Sequence, residues 1–334
     1  MKKSYIQAIS YYVPDTILSN AAIVEDFPDW SEQKIAVKIG INQRYLANEM
    51  TAGDLAELAA KRLFIEHDID KTTVDALILC TQSPDYFLPT TACILQNKLG
   101  LSTRLAAFDI NQGCSGFIYG LSIAKGMITS GISKNVLLLT SETYQHYIHK
   151  KDRGNRTLFS DAAAATLVSV DGFLELGNPV LGTDGSGYRN LIVESGGHRM
   201  KKQGIEINSE TDRSPDYLFM DGPAIFNFTL KTVPLLVRQT LEKNNLQQEE
   251  IDLFIFHQAN KHMLKYVREA VSIPDDKFYL CMENFGNTVS STIPIALYHA
   301  RKDNRIDKAT HILMVGFGVG YSWGAINLIN NHAV

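Results

Sequence analysis

The chain has no run of roughly 18 apolar residues, so no segment reads as a membrane-spanning helix. Its start, Met1-Lys2-Lys3-Ser4-Tyr5-Ile6, has two lysines but neither a long apolar stretch nor a small-residue cleavage site, which argues against a secretory signal. Cysteine is scarce. Cys80, Cys93, Cys114 and Cys281 form no CxxC pair, and no Cys/His cluster has zinc spacing, so neither a metal site nor a disulfide framework is expected. A formal net charge of -4 argues against a general nucleic-acid binder. No low-complexity linker divides the sequence. The expectation is a cytoplasmic protein with no membrane or nucleic-acid partner.

What is present is an ordinary globular composition. Of 334 residues, 45% are hydrophobic and 20% charged, enough for a large core in about two domains or one doubled unit. Short apolar runs alternate with helical stretches, the mark of an α/β fold. Ala76–Thr81, Ala106–Ile110 and Val136–Thr140 read as buried strands. Ser115–Ser130 reads as a helix that is apolar on most faces and so belongs inside the protein, with Gly131 as its stop.

The second half repeats this plan. Val74–Leu79 (VDALIL) has a counterpart 177 positions later in Ile251–Phe256 (IDLFIF), and Val136–Thr140 has one 175 later in His311–Val315. Polar, glycine-bearing turns lie between them, Asn111–Cys114 and Glu283–Asn287, whose last residues are 173 apart. Chance pairs within any α/β chain are the bland reading. The preferred one is a duplicated unit, residues 1–172 and 173–334, with related turns meeting at a pseudo-twofold axis.

Cys114 follows a strand and a glycine and precedes the buried helix. A helix N-terminus favours a thiolate, so a lowered pKa and a nucleophilic role are expected; a packed core cysteine fits the position equally well. His257 ends the strand LFIFH, and Asn287 occupies the turn Asn284-Phe285-Gly286-Asn287-Thr288; each, taken singly, is more simply structural. The loop Gly316–Gly324 lacks GxGxxG and GK[ST] spacing, which excludes the nucleotide-loop readings. Its close glycines do permit the backbone to approach a reacting centre.

Together these segments resemble the β-ketoacyl-acyl-carrier-protein synthase III family of the thiolase superfamily. The resemblance rests on DINQGCSGFIYGL around Cys114, HQAN at His257–Asn260, NFGNTVSSTIP around Asn287 and GFGVGYSWGA near the end, with IGINQR, DRG and FSDAAAATLV in order between them. It implies a duplicated thiolase-like five-layer αβαβα fold, a homodimer, and a Cys114-His257-Asn287 catalytic set. It also implies an oxyanion hole from the backbone N–H groups of Cys114 and Val319. Phe226 and Phe317 would line a pantetheine tunnel, Asn260 and Gly318 would also bind the substrate or coenzyme A, and Arg153 would meet the adenine end of coenzyme A. The reaction implied is a decarboxylating Claisen condensation of an acyl thioester with malonyl-acyl carrier protein. No cofactor is implied beyond coenzyme A and phosphopantetheine thioesters as substrates.

The chain departs from the family pattern in places. Lys34 stands where the family has an adenine-stacking tryptophan, Ser160-Asp161-Ala162 replaces Gly-Asp-Gly, and Val319 replaces a loop glycine. His262 follows HQAN-Lys where a carrier-docking base is common, with Lys261, Lys265 and Arg268 near enough to replace its charge. These changes leave the acyl donor open. The alternatives are a specialised condensing enzyme or acyltransferase of secondary metabolism, a non-catalytic thiolase-fold scaffold, which the retained Cys114, His257 and Asn287 disfavour, and a condensation without decarboxylation, which the Asn of GNT disfavours.

Overall fold

The computed structural model of the chain describes residues 2–209 and 212–331. In chain order the first half contains β1 (Tyr5–Tyr12), β2 (Thr16–Ser19), α1 (Asn20–Asp26), α2 (Glu32–Ile39), β3 (Gln43–Leu46) and α3 (Ala52–Glu66). It continues with β4 (Ala76–Cys80), α4 (Thr91–Lys98), β5 (Ala106–Ile110), α5 (Gly116–Thr129), β6 (Asn135–Glu142), α6 (Arg153–Arg156) and β7 (Ala162–Ser169). The second half has β8 (Leu174–Leu176), β9 (Val180–Thr183), β10 (Leu191–Ile192), β11 (Phe219–Met220), α7 (Gly222–Asn244) and β12 (Leu253–Phe256). It ends with α8 (Lys261–Val271), β13 (Phe278–Tyr279), α9 (Thr292–Lys302), β14 (His311–Gly318) and β15 (Ser322–Ile329).

The principal sheet runs β13-β12-β14-β15-β8-β1-β7-β6-β4-β5, with β9 on β15. Short β8 joins two wings by pairing with both β1 and β15. In one wing β4 is parallel to β5 and β6, and β7 returns antiparallel to β6. In the other, β12 is parallel to β13 and β14, and β15 returns antiparallel to β14.

Strand side chains alternate between faces, and here both faces are covered. From β4, Ala76 and Ile78 turn inward onto α5, while Leu77 and Leu79 meet Leu55, Ala59 and Leu63 of α3. From the other wing, Leu253 and Ile255 join the inner core with Ile293 and Leu297 of α9, while Phe254 and Phe256 meet Val233 and Val237 of α7 and Leu264 of α8. The order is helix, sheet, helix, sheet, helix: the expected five-layer αβαβα arrangement. Each fully buried Leu, Ile or Phe is worth about 1.5–3 kcal/mol, so these cores hold the two wings against α5 and α9.

The expected buried helix is α5, with Phe117, Ile118, Leu121 and Ile128 inside the central layer. Gly131 ends it with φ +81 and an N–H bond to Ile128 O.

The repeat is written in hydrogen bonds as well as strands. Asp75 accepts from the N–H groups of Lys134 (2.8 Å) and Asn135 (3.0 Å), and Asp252 does the same for Thr310 (2.8 Å) and His311 (3.1 Å). Two details differ from the sequence reading. Ala76 faces Val136 and Leu253 faces Ile312, so the second strand pair is offset by 176 positions, not 175. Ser115 and Ser291, also 176 apart, hold nearly identical N-cap conformations before α5 and α9, with φ -87, ψ -6 and φ -86, ψ -5. The counterpart of Cys114 is therefore Ser290. Asn287 lies three residues earlier, in the turn that leads up to α9.

Candidate active site

Cys114 stands between Gly113 and the N-cap of α5, where the chain is pinched. A Cβ on Gly113 would lie 2.5 Å from both Gln82 Oε1 and Val319 Cγ1. A Cβ on Gly318, at the end of β14, would lie 2.9 Å from Cys114 Sγ. Only glycine permits this approach. It brings the backbone N–H groups of Val319 and of Cys114 itself to the sulfur, where both favour a negative charge. The two backbone N–H groups thus converge on the sulfur.

The lowered thiol pKa is not found. Burial, and then the nearby Glu142 carboxylate, push the thiol up to about 12 against those two N–H groups. Cys114 does precede a helix, but it is buried, and the cost of desolvating a thiolate exceeds the help of the backbone.

His257 extends β12, its N–H donating to Val315 O at 2.8 Å. Its Nδ1 lies 2.7 Å from Thr292 Oγ, and its ring stands edge-on to Phe317, centroids 5.6 Å apart. Burial pushes the imidazole down to about 3, so it is neutral at physiological pH. Asn287 is tied by its backbone to Leu158 O (2.9 Å) and Ser160 N (3.0 Å). Its Oδ1 accepts from Val289 N at 2.9 Å. That bond commits the oxygen and leaves Nδ2, with a long 3.5 Å contact to Ala259 O, as the donor side.

All three residues open on one cavity of about 950 Å³. Phe226, Asn260, Phe317 and Gly318 line it, and Lys38, Lys261 and Lys265 stand on its wall. Phe226 also stacks on His262 (5.9 Å), and Asn260 also caps α8 by accepting from Met263 N at 2.9 Å. Arg268 pairs with Asp275 at 3.0 Å instead of facing the cavity.

Arg153 is not on the cavity wall. Its guanidinium lies 4.9 Å from the centre of the Trp30 ring, and the Lys34 ammonium lies 5.0 Å from the same ring. The aromatic surface missing at Lys34 is present four residues earlier. Sequence reasoning searched only the matching position and overlooked it. It also overlooked Glu142, buried behind Cys114, whose carboxylate accepts from Gln82 N (3.1 Å), Ser83 Oγ (3.0 Å) and Ser290 Oγ (3.1 Å). A charged residue ending the apolar strand VLLLTSE was the available signal. Asp161 of Ser160-Asp161-Ala162 accepts from Ala47 N (2.9 Å) and Gln145 N (3.1 Å), a structural tie.

Among the described residues, no group of three or more His, Cys, Asp or Glu side chains could hold a metal ion, and no helix is long and apolar enough to cross a membrane.

Residues 108–185 match the family model for 3-oxoacyl-[acyl-carrier-protein] synthase III, and residues 241–329 match the model for its C-terminal part. The chain is 36% identical to the beta-ketoacyl-[acyl-carrier-protein] synthase III of Clostridium perfringens, covering 97% of this chain and 98% of the relative. It is 37% identical to that of Caldanaerobacter subterraneus, covering 94% of each. Among solved structures, a 3-oxoacyl-(acyl-carrier-protein) synthase III superposes with a TM-score of 0.94 at 42% identity, over 98% of this chain and 99% of the other. The 3-oxoacyl-(acyl-carrier protein) synthase of Burkholderia xenovorans superposes at 0.90 with 36% identity, over 98% and 94%. With matches of this extent on top of the site geometry, the chain belongs to the 3-oxoacyl-[acyl-carrier-protein] synthase III family.

Proposed function

We propose that this protein condenses an acyl thioester with malonyl-acyl carrier protein through an acyl-Cys114 intermediate, releasing carbon dioxide and forming a β-ketoacyl-acyl carrier protein, the step that starts a fatty-acid chain. The observation that carries this reading is the convergence of Cys114, His257 and Asn287 on one cavity, with two backbone N–H groups at the sulfur.

In the first half-reaction the Cys114 sulfur attacks the thioester carbonyl, and the N–H groups of Cys114 and Val319 receive the oxyanion. The carbon–sulfur bond to the donor breaks, and the departing thiolate takes up the proton that Cys114 gives away. The exchange is proton-neutral, which suits a thiol that is not ionised at rest. In the second half-reaction the malonyl carboxylate leaves as carbon dioxide and its electron pair moves into an enolate. His257 and Asn287 donate to the thioester oxygen that becomes negative. The enolate carbon attacks acyl-Cys114, and the cysteine sulfur leaves with the bonding pair and takes up a proton from solvent, restoring the resting thiol. No cofactor takes part; coenzyme A and phosphopantetheine thioesters are substrates.

The partners follow from the chemistry. The apolar cavity suits a pantetheine arm, and Lys38, Lys261 and Lys265 suit an acidic carrier. Arg153 and Trp30, side by side, would meet the adenine end of coenzyme A, with stacking as the contact. We assign residues 1–172 and 173–334 as the two halves of the duplication, the nucleophile in the first and its two partners in the second. A homodimer in the cytoplasm completes the reading. In the test, purified protein is mixed with an acyl thioester and malonyl-acyl carrier protein, and the carrier product is weighed. A β-ketoacyl carrier supports the proposal. Acylation of Cys114 with no carbon–carbon bond formed favours the specialised acyltransferase.

A further inference from the structure

Thr292 is the first residue of α9, and its side chain faces the back of the His257 ring rather than the cavity. Its hydroxyl has one proton and two acceptors in reach, His257 Nδ1 at 2.7 Å and Val289 O at 3.0 Å. The choice between them decides what the catalytic face of the imidazole can do. A neutral imidazole carries one proton. If Thr292 donates to Val289 O, Nδ1 must hold that proton and Nε2 is left a bare lone pair. If Thr292 donates to Nδ1, the proton is held on Nε2, and Nε2 is a donor.

Two observations favour the second arrangement. Val289 O already accepts the backbone N–H of Thr292, so it does not depend on the hydroxyl. The 2.7 Å separation to Nδ1 is the shorter of the two and is typical of an O–H donor, whereas N–H donors usually sit at about 2.9–3.0 Å. Burial keeps the ring neutral, so a second proton does not blur the choice.

We propose that Thr292 is a positioning residue that donates to His257 Nδ1 and thereby holds the ring proton on Nε2, making His257 a hydrogen-bond donor to the enolate oxygen of the decarboxylating thioester. Its importance to catalysis rests on the condensation reading above; the tautomer itself does not.

The experiment has two arms on the full-length protein. In the first, nitrogen NMR of histidine-labelled protein locates the proton on His257, with His257→Gln used to assign the signals. A proton on Nε2 and an accepting Nδ1 are expected; a proton on Nδ1 overturns the proposal. In the second, Thr292→Val, which keeps shape and loses the hydroxyl, is compared with Thr292→Ser, which keeps the hydroxyl. Malonyl-thioester decarboxylation should fall about 10- to 100-fold in Thr292→Val and return in Thr292→Ser. Acylation of Cys114 should change less than about twofold, and KM for the malonyl thioester should hold, because the hydroxyl touches neither. Parental decarboxylation in Thr292→Val, or an equal fall in both half-reactions that serine does not rescue, overturns the proposal. If the parent itself does not decarboxylate a malonyl thioester, the condensation reading fails while the NMR arm still decides the tautomer.

Discussion

At the scale of single residues, the setting of Glu142 has the sharpest consequences. Its carboxylate lies among neutral donors, Gln82 N, Ser83 Oγ and Ser290 Oγ, and burial raises it from its ordinary 4.5 to about 8. The folded protein therefore holds this proton more tightly than the unfolded chain does. The stability it contributes is fully present below about pH 4.5 and is lost as the pH rises through about 8. Thermal melts at pH 6.5 and pH 8 should show the parent less stable at pH 8, with the difference reduced in Glu142→Gln. His257, held neutral, affects stability only below its ordinary value of 6.5 and so falls outside this window. The same substitution removes a negative charge near Cys114, so the pH profile for alkylation of Cys114 should move to lower pH. An unchanged melt difference together with an unchanged alkylation profile would contradict this description of Glu142. The residue types at Cys114, His257 and Asn287 were legible from their motifs. The ionisation of Cys114 was not, because it depends on burial and then on Glu142, 28 positions away along the chain.

At the scale of elements, the end of β14 shapes the proposed oxyanion hole. Gly318 has room for no side chain, since its Cβ would meet Cys114 Sγ at 2.9 Å and Cys114 Cβ at 2.7 Å. Gly318→Ala should push the Val319 N–H off the sulfur and cost roughly 10²–10³ in rate, as loss of one oxyanion donor does. Steady-state kinetics test this, and a parental rate would refute it. Elements with clear periodicity were readable in advance: β4, β5 and β6 fall within a residue or two of expectation, and α5 ends at the glycine chosen for it. What escaped was set by contacts between elements. Trp30 lies just before α2, and its place beside Arg153 of α6 appears only when the fold brings that guanidinium over its ring. Arg268, offered as a docking charge, is held by Asp275, just beyond the end of its own helix.

At the scale of the whole molecule, the duplication was visible because each half starts its parallel strand pair with the same aspartate device, Asp75 and Asp252. Its exact alignment was not visible, since turns of unequal length precede α5 and α9, and Asn287 was matched where Ser290 belongs. The outer edge of the first wing bears on assembly. Among the described residues β5 pairs only with β4, and the nearby loop exposes Tyr86, Phe87 and Leu88, at 63%, 86% and 82%. Such a patch beside an open strand edge fits a second copy of the chain. Sedimentation should give a dimer for the parent and a monomer for Leu88→Asp with Phe87→Asp; a monomeric parent would contradict the assembly proposed here.

The central claim, that acyl groups pass through Cys114, is tested most directly by intact-mass measurement of the protein after exposure to a panel of acyl-coenzyme A and acyl-carrier thioesters. The parent should gain the mass of one acyl group on Cys114, lose it when malonyl-acyl carrier protein is added, and gain nothing as Cys114→Ala. An acyl adduct that persists in Cys114→Ala, or a parent that forms none with any donor, would contradict the account.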